Sequence, residues 1–327
     1  MKVGIYTRWQ RRDSTYAAIQ IADLMSLWQH EVTILTPTPK RPTVSNFWDS
    51  RVRQDSNIRF TDWAAQLAVV IWTFWPTPGQ LEWTLQNNRR AILVPDWVDL
   101  RAFDDVGFLF DRIMAPTRRG ARLLQGLGAS NVVVCPWSPM LPITLRSLTE
   151  PVRVYVPPAD RPGDVNDTLA IDIIEAMFEL DKTVQATISL DGHRGAVIKR
   201  LERMAKVRSR LTLIRPEDYH RQLLQYSEHS LTLLTAVVEG FGMSALCSLH
   251  MGTPIIGFDA PPLDEITNPG NSVLIECGAD RLDLLEALMI LIQEPGLSRL
   301  FAGCPAGLER RRSEFEAAWI RALTGKT

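Results

Sequence analysis

The residues best suited to chemistry in this sequence stand close together, in Glu239-Gly240-Phe241-Gly242-Met243-Ser244-Ala245-Leu246 and the following Gly252-Thr253-Pro254. Two glycines let a backbone approach a ligand with no Cβ in the way. The amides of Gly242, Met243 and Ser244 then point from a helix N-terminus, which favours an anion such as a diphosphate. Glu239 heads the turn, where a carboxylate can accept from ligand hydroxyls. Taken alone, a Gly-x-Gly turn before a helix reads first as a structural strand-to-helix connection, and a Glu there as a capping carboxylate. No other cluster competes. Cys135, Cys247, Cys277 and Cys304 are scattered without C-x-x-C spacing, so reduced thiols are expected rather than zinc or disulfides. No carboxylate set has metal-ligand spacing, and no metal is expected. Among five histidines only His193, in the DGHRG turn, falls at a predicted strand end. His30, His220, His229 and His250 read as surface or helix-end residues.

Parallel strands with covering helices must position that turn. Residues 2–7, 31–35, 67–72, 91–94, 112–115 and 131–135 read as short buried strands. A helix over 15–28 carries Ile21, Leu24, Met25 and Trp28 on one face, and another spans 118–127. After a proline-rich linker from Pro136 to Pro142 the alternation restarts. Strands are expected at 152–156, 184–190, 211–214, 230–235 and 254–258, with helices at 168–180, 196–207, 219–226 and 244–251. Two helical stretches follow residue 282. Such alternation argues for two doubly wound halves, with a ligand at the carboxyl ends of the strands.

The bulk numbers fit. A chain of 327 residues, 46% hydrophobic and 22% charged, suits two α/β domains. The net charge of −1 hides an asymmetry: residues 1–140 carry 16 Lys+Arg against 12 Asp+Glu, the remainder 20 against 25. A basic half tolerates an anionic partner. No signal region and no run of membrane-spanning length is seen, so a soluble, cytoplasmic protein is expected.

The longer string EGFGMSALCSLHMGTPIIGFDAPPLDEI resembles the donor-site signature of the group-1, family 4-like, retaining GT-B glycosyltransferases. Their members read E-G-F-G-x-x-x-x-E, then G-T-P-V-I, then a glycine-bearing turn before a Pro-Glu or Glu-Ile pair. The resemblance is strongest over residues 230–275. APTRRGARLLQGLGASNVVVCPW is similar to the end of the family's first domain, and SLDGHRG to a glycine turn of its second. It implies an α/β fold of GT-B type, two Rossmann-like domains facing each other across a cleft. Residues 1–145 would be the acceptor-binding domain and 146–305 the nucleotide-sugar-binding domain. Residues 306–327 would form a helix crossing back to the first. The implied reaction moves a sugar from a nucleotide-diphosphate donor, a UDP-sugar first among them, to an acceptor hydroxyl with retention. The departing diphosphate takes the acceptor proton, so the site must hold that group and stabilise its charge. No cofactor beyond the donor is implied.

Carried over to this sequence, Glu239 holds hydroxyls of the donor sugar. Gly240, Phe241, Gly242, Met243 and Ser244 form the loop whose amides hold the diphosphate, with His193 nearby on the donor side. Three departures stand out. Cys247 occupies the place of a second Glu that binds the ribose, and a thiol is a weak donor. The stretch from Tyr155 to Asp164 lacks the family's Arg and Lys, leaving Arg161, with Arg11 or Arg12, to meet the diphosphate. ILVPDWVDL has Pro95 in place of a His, leaving Asp96 to orient the acceptor or take its proton. Trp72, Trp75 and Trp97 beside predicted strand ends suit stacking on a sugar or a base. The acceptor would be a glycan, lipid or small molecule, or else a hydroxylated base in DNA. A non-catalytic nucleotide-sugar-binding descendant and a sugar-nucleotide epimerase are the alternatives.

Overall fold

A computed structural model describes residues 1–7, 12–37, 51–56, 58–95, 109–148, 151–158, 167–191, 193–215, 219–235, 241–276, 282–283, 286, 288, 291 and 296–325. The chain divides into two compact units, Met1–Met140 with Arg310–Thr327, and Leu141–Glu309.

Unit 1 is built on strands β1 (Lys2–Tyr6), β2 (Glu31–Leu35), β3 (Val52–Asp55), β4 (Val69–Trp72), β5 (Arg90–Leu93), β6 (Arg112–Ala115) and β7 (Val132–Val134). All pair in parallel, in the order β3-β2-β1-β4-β5-β6-β7. Helix α1 (Arg12–Leu27) covers β1 and β2, and its Ile21, Leu24 and Met25 are fully buried. Among the described residues, this part of unit 1 also holds α2 (Phe60–Ala64), α3 (Pro78–Gln86) and α4 (Arg118–Gly126). One sheet face holds an aromatic cluster in which Tyr6 meets Trp72 at 4.9 Å, Phe74 at 5.1 Å and Phe60 at 5.6 Å between centroids.

Unit 2 contains β8 (Arg153–Val156), α5 (Asp167–Leu180), β9 (Gln185–Ser189), α6 (Gly195–Val207), β10 (Leu211–Ile214), α7 (Tyr219–Glu228), β11 (Leu231–Leu234), α8 (Met243–His250), β12 (Ile255–Phe258), α9 (Leu263–Ile266), β13 (Ser272–Ile275) and α10 (Gly296–Gly303). Its order, β10-β9-β8-β11-β12-β13, is the doubly wound order 3-2-1-4-5-6. The aliphatic rows of β8, β9 and β11 face α5 in a core whose described residues are Val, Ile, Leu, Met and Ala together with Phe178.

The last helix, α11 (Leu308–Thr324), belongs mostly to unit 1. Phe315 and Trp319 are fully buried, and Phe315 stands edge-on to Trp137 at 5.0 Å. Arg311 donates to the carbonyl of Trp137 at 2.7 Å, and Arg90 to that of Leu323. Truncating either buried ring would cost about 3–5 kcal/mol.

In each sheet the chain order reverses at one place, between β1 and β4 in unit 1 and between β8 and β11 in unit 2. The carboxyl ends of those strands bound the crevice where open α/β sheets take ligands.

Candidate functional site

In unit 2 the switch point leads straight into the glycine turn. Strand β11 is buried along its length and ends at Leu234; residues 236–240, with Glu239 and Gly240, lie outside the described residues. The chain continues with Phe241, fully buried, and Gly242 at φ 67°, ψ 32°. A Cβ on Gly242 would stand 2.1 Å from Ile266 Cδ1 and 2.9 Å from Pro262 Cγ. Both the left-handed backbone and the space therefore demand glycine.

Gly242 is the N-cap of α8 and supplies no side-chain acceptor. The first intrahelical bond runs from Leu246 N to Gly242 O at 2.9 Å. The amides of Met243, Ser244 and Ala245 belong to the turn that a helix cannot satisfy internally. With the dipole's positive end, they make a place for negative charge.

The far end of α8 is firmly anchored. Ser248 Oγ and Thr232 Oγ1 lie 2.6 Å apart, and Ser248 donates to Thr253 O at 2.8 Å. Thr253 donates to Tyr226 O at 2.6 Å, and Arg146 Nη1 reaches Thr253 Oγ1 and His229 O, both at 2.9 Å. His229 donates from Nδ1 to Gln225 O at 2.6 Å and accepts at Nε2 from the Thr187 hydroxyl at 2.8 Å. Burial pushes its pKa down to about 4, so the imidazole is neutral. His229 thus stands at the helix end its sequence context suggests, directly after α7, but as a packed internal residue.

The other expected site residues fall as follows. His193 is 8% exposed, past the end of β9, with its amide bonded to Leu190 O at 3.4 Å. Cys247 is 2% exposed and not in a disulfide. Trp75 is half-buried and edge-on to Phe110 at 6.4 Å. Trp72 must be corrected. It is 0% exposed, because its register beside Tyr6 turns it into the aromatic cluster, and it has no face for an acceptor. Asp96, Trp97, Arg161 and Arg11 lie outside the described residues, as does the side chain of Arg12.

Sequence reasoning passed over Tyr226 and Gln222. Tyr226 is 1% exposed, Gln222 Nε2 donates to its phenol at 3.4 Å, and the Ser244 hydroxyl also faces that phenol. The only sequence signal was a polar i, i+4 pair on an otherwise ordinary helix.

Among the described residues no group of three or more His, Cys, Asp or Glu could hold a metal, and no helix is long and apolar enough to cross a membrane. Burial pushes the Cys304 thiol up to about 12 and Cys135 higher still, which keeps both unreactive.

No protein-family model and no curated protein matches the sequence. Solved structures do match. The apo lipopolysaccharide outer core galactosyltransferase WaaB is 16% identical, with all of both chains covered and a TM-score of 0.67. Anabaena HepE in complex with UDP-glucose is 12% identical over 99% of this chain and 100% of that one, with a TM-score of 0.74. A Listeria monocytogenes protein described as a UDP-N-acetylglucosamine 2-epimerase is 15% identical over 100% and 97%, at 0.62. The chain therefore has the GT-B fold, two parallel-sheet α/β units of the kind found in these glycosyltransferases.

Proposed function

We propose that this protein is a glycosyltransferase that binds a nucleotide-diphosphate sugar, a UDP-sugar first, on unit 2 and passes the sugar to an acceptor hydroxyl. The observation that carries the reading is the N-terminus of α8, where Gly242 gives no side-chain cap, at the switch point of a doubly wound sheet. The likeness to HepE, solved with UDP-glucose, supports it. Glu239 is assigned to the hydroxyls of the donor sugar and the amides of residues 242–244 to the diphosphate. Arg161 and His193 complete the donor side, and no metal or cofactor takes part.

Retention is proposed from the resemblance of the Glu239–Ile266 string. No buried nucleophile and base pair is needed, since the leaving diphosphate can accept the acceptor's proton. Asp96, Trp75 and Trp97 are assigned to the acceptor, a glycan, lipid or small molecule. Unit 1 carries 21 Lys+Arg against 14 Asp+Glu. That surplus favours, as a second reading, an anionic acceptor such as a hydroxylated base in DNA. Binding to DNA should then weaken steeply with salt through counterion release.

The deciding experiment measures UDP release from a panel of UDP-hexoses, with water and with mixed glycan and lipid acceptors. Release with one donor and its increase by an acceptor would support the transferase. Conversion of a UDP-sugar to its epimer without release would favour the epimerase. Binding without either reaction would favour the non-catalytic descendant.

A further inference from the structure

Helix α8 hides nearly all of its side chains. Every residue from Met243 to His250 is buried except Ser244, which is half-buried. Cys247 lies three residues on, on the same side of the helix, but is 2% exposed. Its thiol is a weak hydrogen-bonding group even when reachable. A ligand resting on the first turn of α8 therefore meets one hydroxyl, that of Ser244.

That hydroxyl has a rigid backing. The Tyr226 phenol faces Ser244 from α7 and also takes the Gln222 amide at 3.4 Å. Its ring stands edge-on to Tyr155 at 5.1 Å and 82°. Its carbonyl accepts from Thr253 at 2.6 Å and from Arg146 at 3.3 Å, so the residue is fixed at both ends. Burial keeps the phenol protonated. The Ser244 hydroxyl is thereby backed by a fixed residue, while Ser244 itself is the one residue of α8 that is not buried.

Resting on the donor reading above, we propose that Ser244, positioned by Tyr226, recognises a ribose hydroxyl of the donor nucleoside. A diphosphate on the amides of residues 242–244 brings the adjoining ribose beside first-turn side chains. Ser244 is the one of these that is not buried. A serine hydroxyl both donates and accepts, which suits a ligand hydroxyl that does the same. Cys247 contributes packing only.

The test compares UDP, 2′-deoxy-UDP and 3′-deoxy-UDP by calorimetry on the full chain and on Ser244→Ala, Ser244→Thr and Tyr226→Phe, with melting temperatures checked. The wild type should bind UDP about five-fold more tightly than one of the two deoxy analogues, the ordinary net worth of one neutral hydrogen bond. Ser244→Ala should bind UDP about five-fold more weakly and lose that discrimination, and Ser244→Thr should keep it. Tyr226→Phe should reduce the ratio, not merely the affinity; a folded variant with the wild-type ratio would remove Tyr226 from the inference. Should Tyr226→Phe fail to fold, the serine pair alone decides. Tight UDP binding with no discrimination, or discrimination that survives Ser244→Ala, would overturn the assignment of Ser244. Failure of the wild type to bind UDP at all would overturn the donor reading itself, a different result.

Discussion

The two sheets wind in the same order, yet their crossover points are finished in different ways. In unit 1, Thr73 Oγ1 at the end of β4 bonds Thr7 Oγ1 at the end of β1 at 2.7 Å, above the packed rings of Tyr6 and Trp72. Two of the helices of unit 1 are closed by side chains, while α2 starts at Arg59 without one. Thr77 caps α3 in a reciprocal box with Gln80, and Thr117 accepts from Gly120 N at 3.0 Å at the start of α4. In unit 2, α8 starts at a glycine with no side-chain cap, and α6 likewise starts at Arg194 without one. Topology supplies a crevice to each unit. Local capping chemistry differs at the helix behind each crossover: Thr77 takes a first-turn amide of α3, and Gly242 has no side chain to do so for α8.

The strongest way to break this contrast is Glu239→Ala. Loss of a charged hydrogen bond made to the reacting sugar should cost about 2–4 kcal/mol, roughly 30- to 1000-fold in turnover, with melting unchanged. Wild-type turnover in the folded variant would remove Glu239 from the site.

Acid should separate the units next. His229 holds its pKa near 4 in the fold, through burial first, against 6.5 unfolded. The unfolded chain therefore binds the proton first. Stability is full above pH 6.5 and falls as pH drops toward 4, by up to about 3 kcal/mol. All ten tryptophans lie in unit 1, so their fluorescence follows that unit alone, while far-UV circular dichroism follows both. Between pH 6.5 and 4 the dichroism melt should move ahead of the fluorescence melt. His229→Gln should narrow that gap; coincident melts at every pH would contradict the assignment.

Backbone chemistry gives a smaller effect. Gly242→Ala forces a left-handed alanine against Ile266 and should cost unit 2 about 1–3 kcal/mol, together with nucleotide affinity. Gly126→Ala, where a Cβ meets nothing within 4 Å, should be neutral or slightly stabilising. Equal melting shifts in the two would show that Gly242 is not held as described. Smallest is Thr73→Val, which removes a buried hydroxyl bonded to Thr7 Oγ1 and Tyr6 O in unit 1, at about 1 kcal/mol. It should leave UDP affinity unchanged, and an affinity loss there would move the ligand to the wrong crevice.

Much of the fold was legible from periodicity. The strands at 31–35, 112–115 and 211–214 match their expected bounds, because short apolar runs between turn signals leave little choice. Strand β3, reading Val-Arg-Gln-Asp, was not legible. It is an edge strand with no buried residue and hence no apolar pattern. Helix α3 was announced by Thr77-Pro78-Gly79-Gln80, a capping-box spacing with proline in the first turn, which apolar periodicity alone passes over. The glycine turn could be read because a left-handed cap needs that residue type. Trp72 was misplaced because a strand's sequence does not say which face is covered. Tyr226 was missed because its contact with Ser244 joins two helices, and nothing local to either encodes it.

The first-turn amides of α8 are proposed to hold the donor's diphosphate. Hydrogen–deuterium exchange of the full chain, with and without saturating UDP-glucose, reads those amides directly. Slowed exchange is expected in peptides covering 241–247, with those covering Thr7 and Thr73 unchanged. Protection confined to the Thr7 and Thr73 peptides, or none at all at a UDP-sugar concentration that demonstrably saturates the protein, would contradict it.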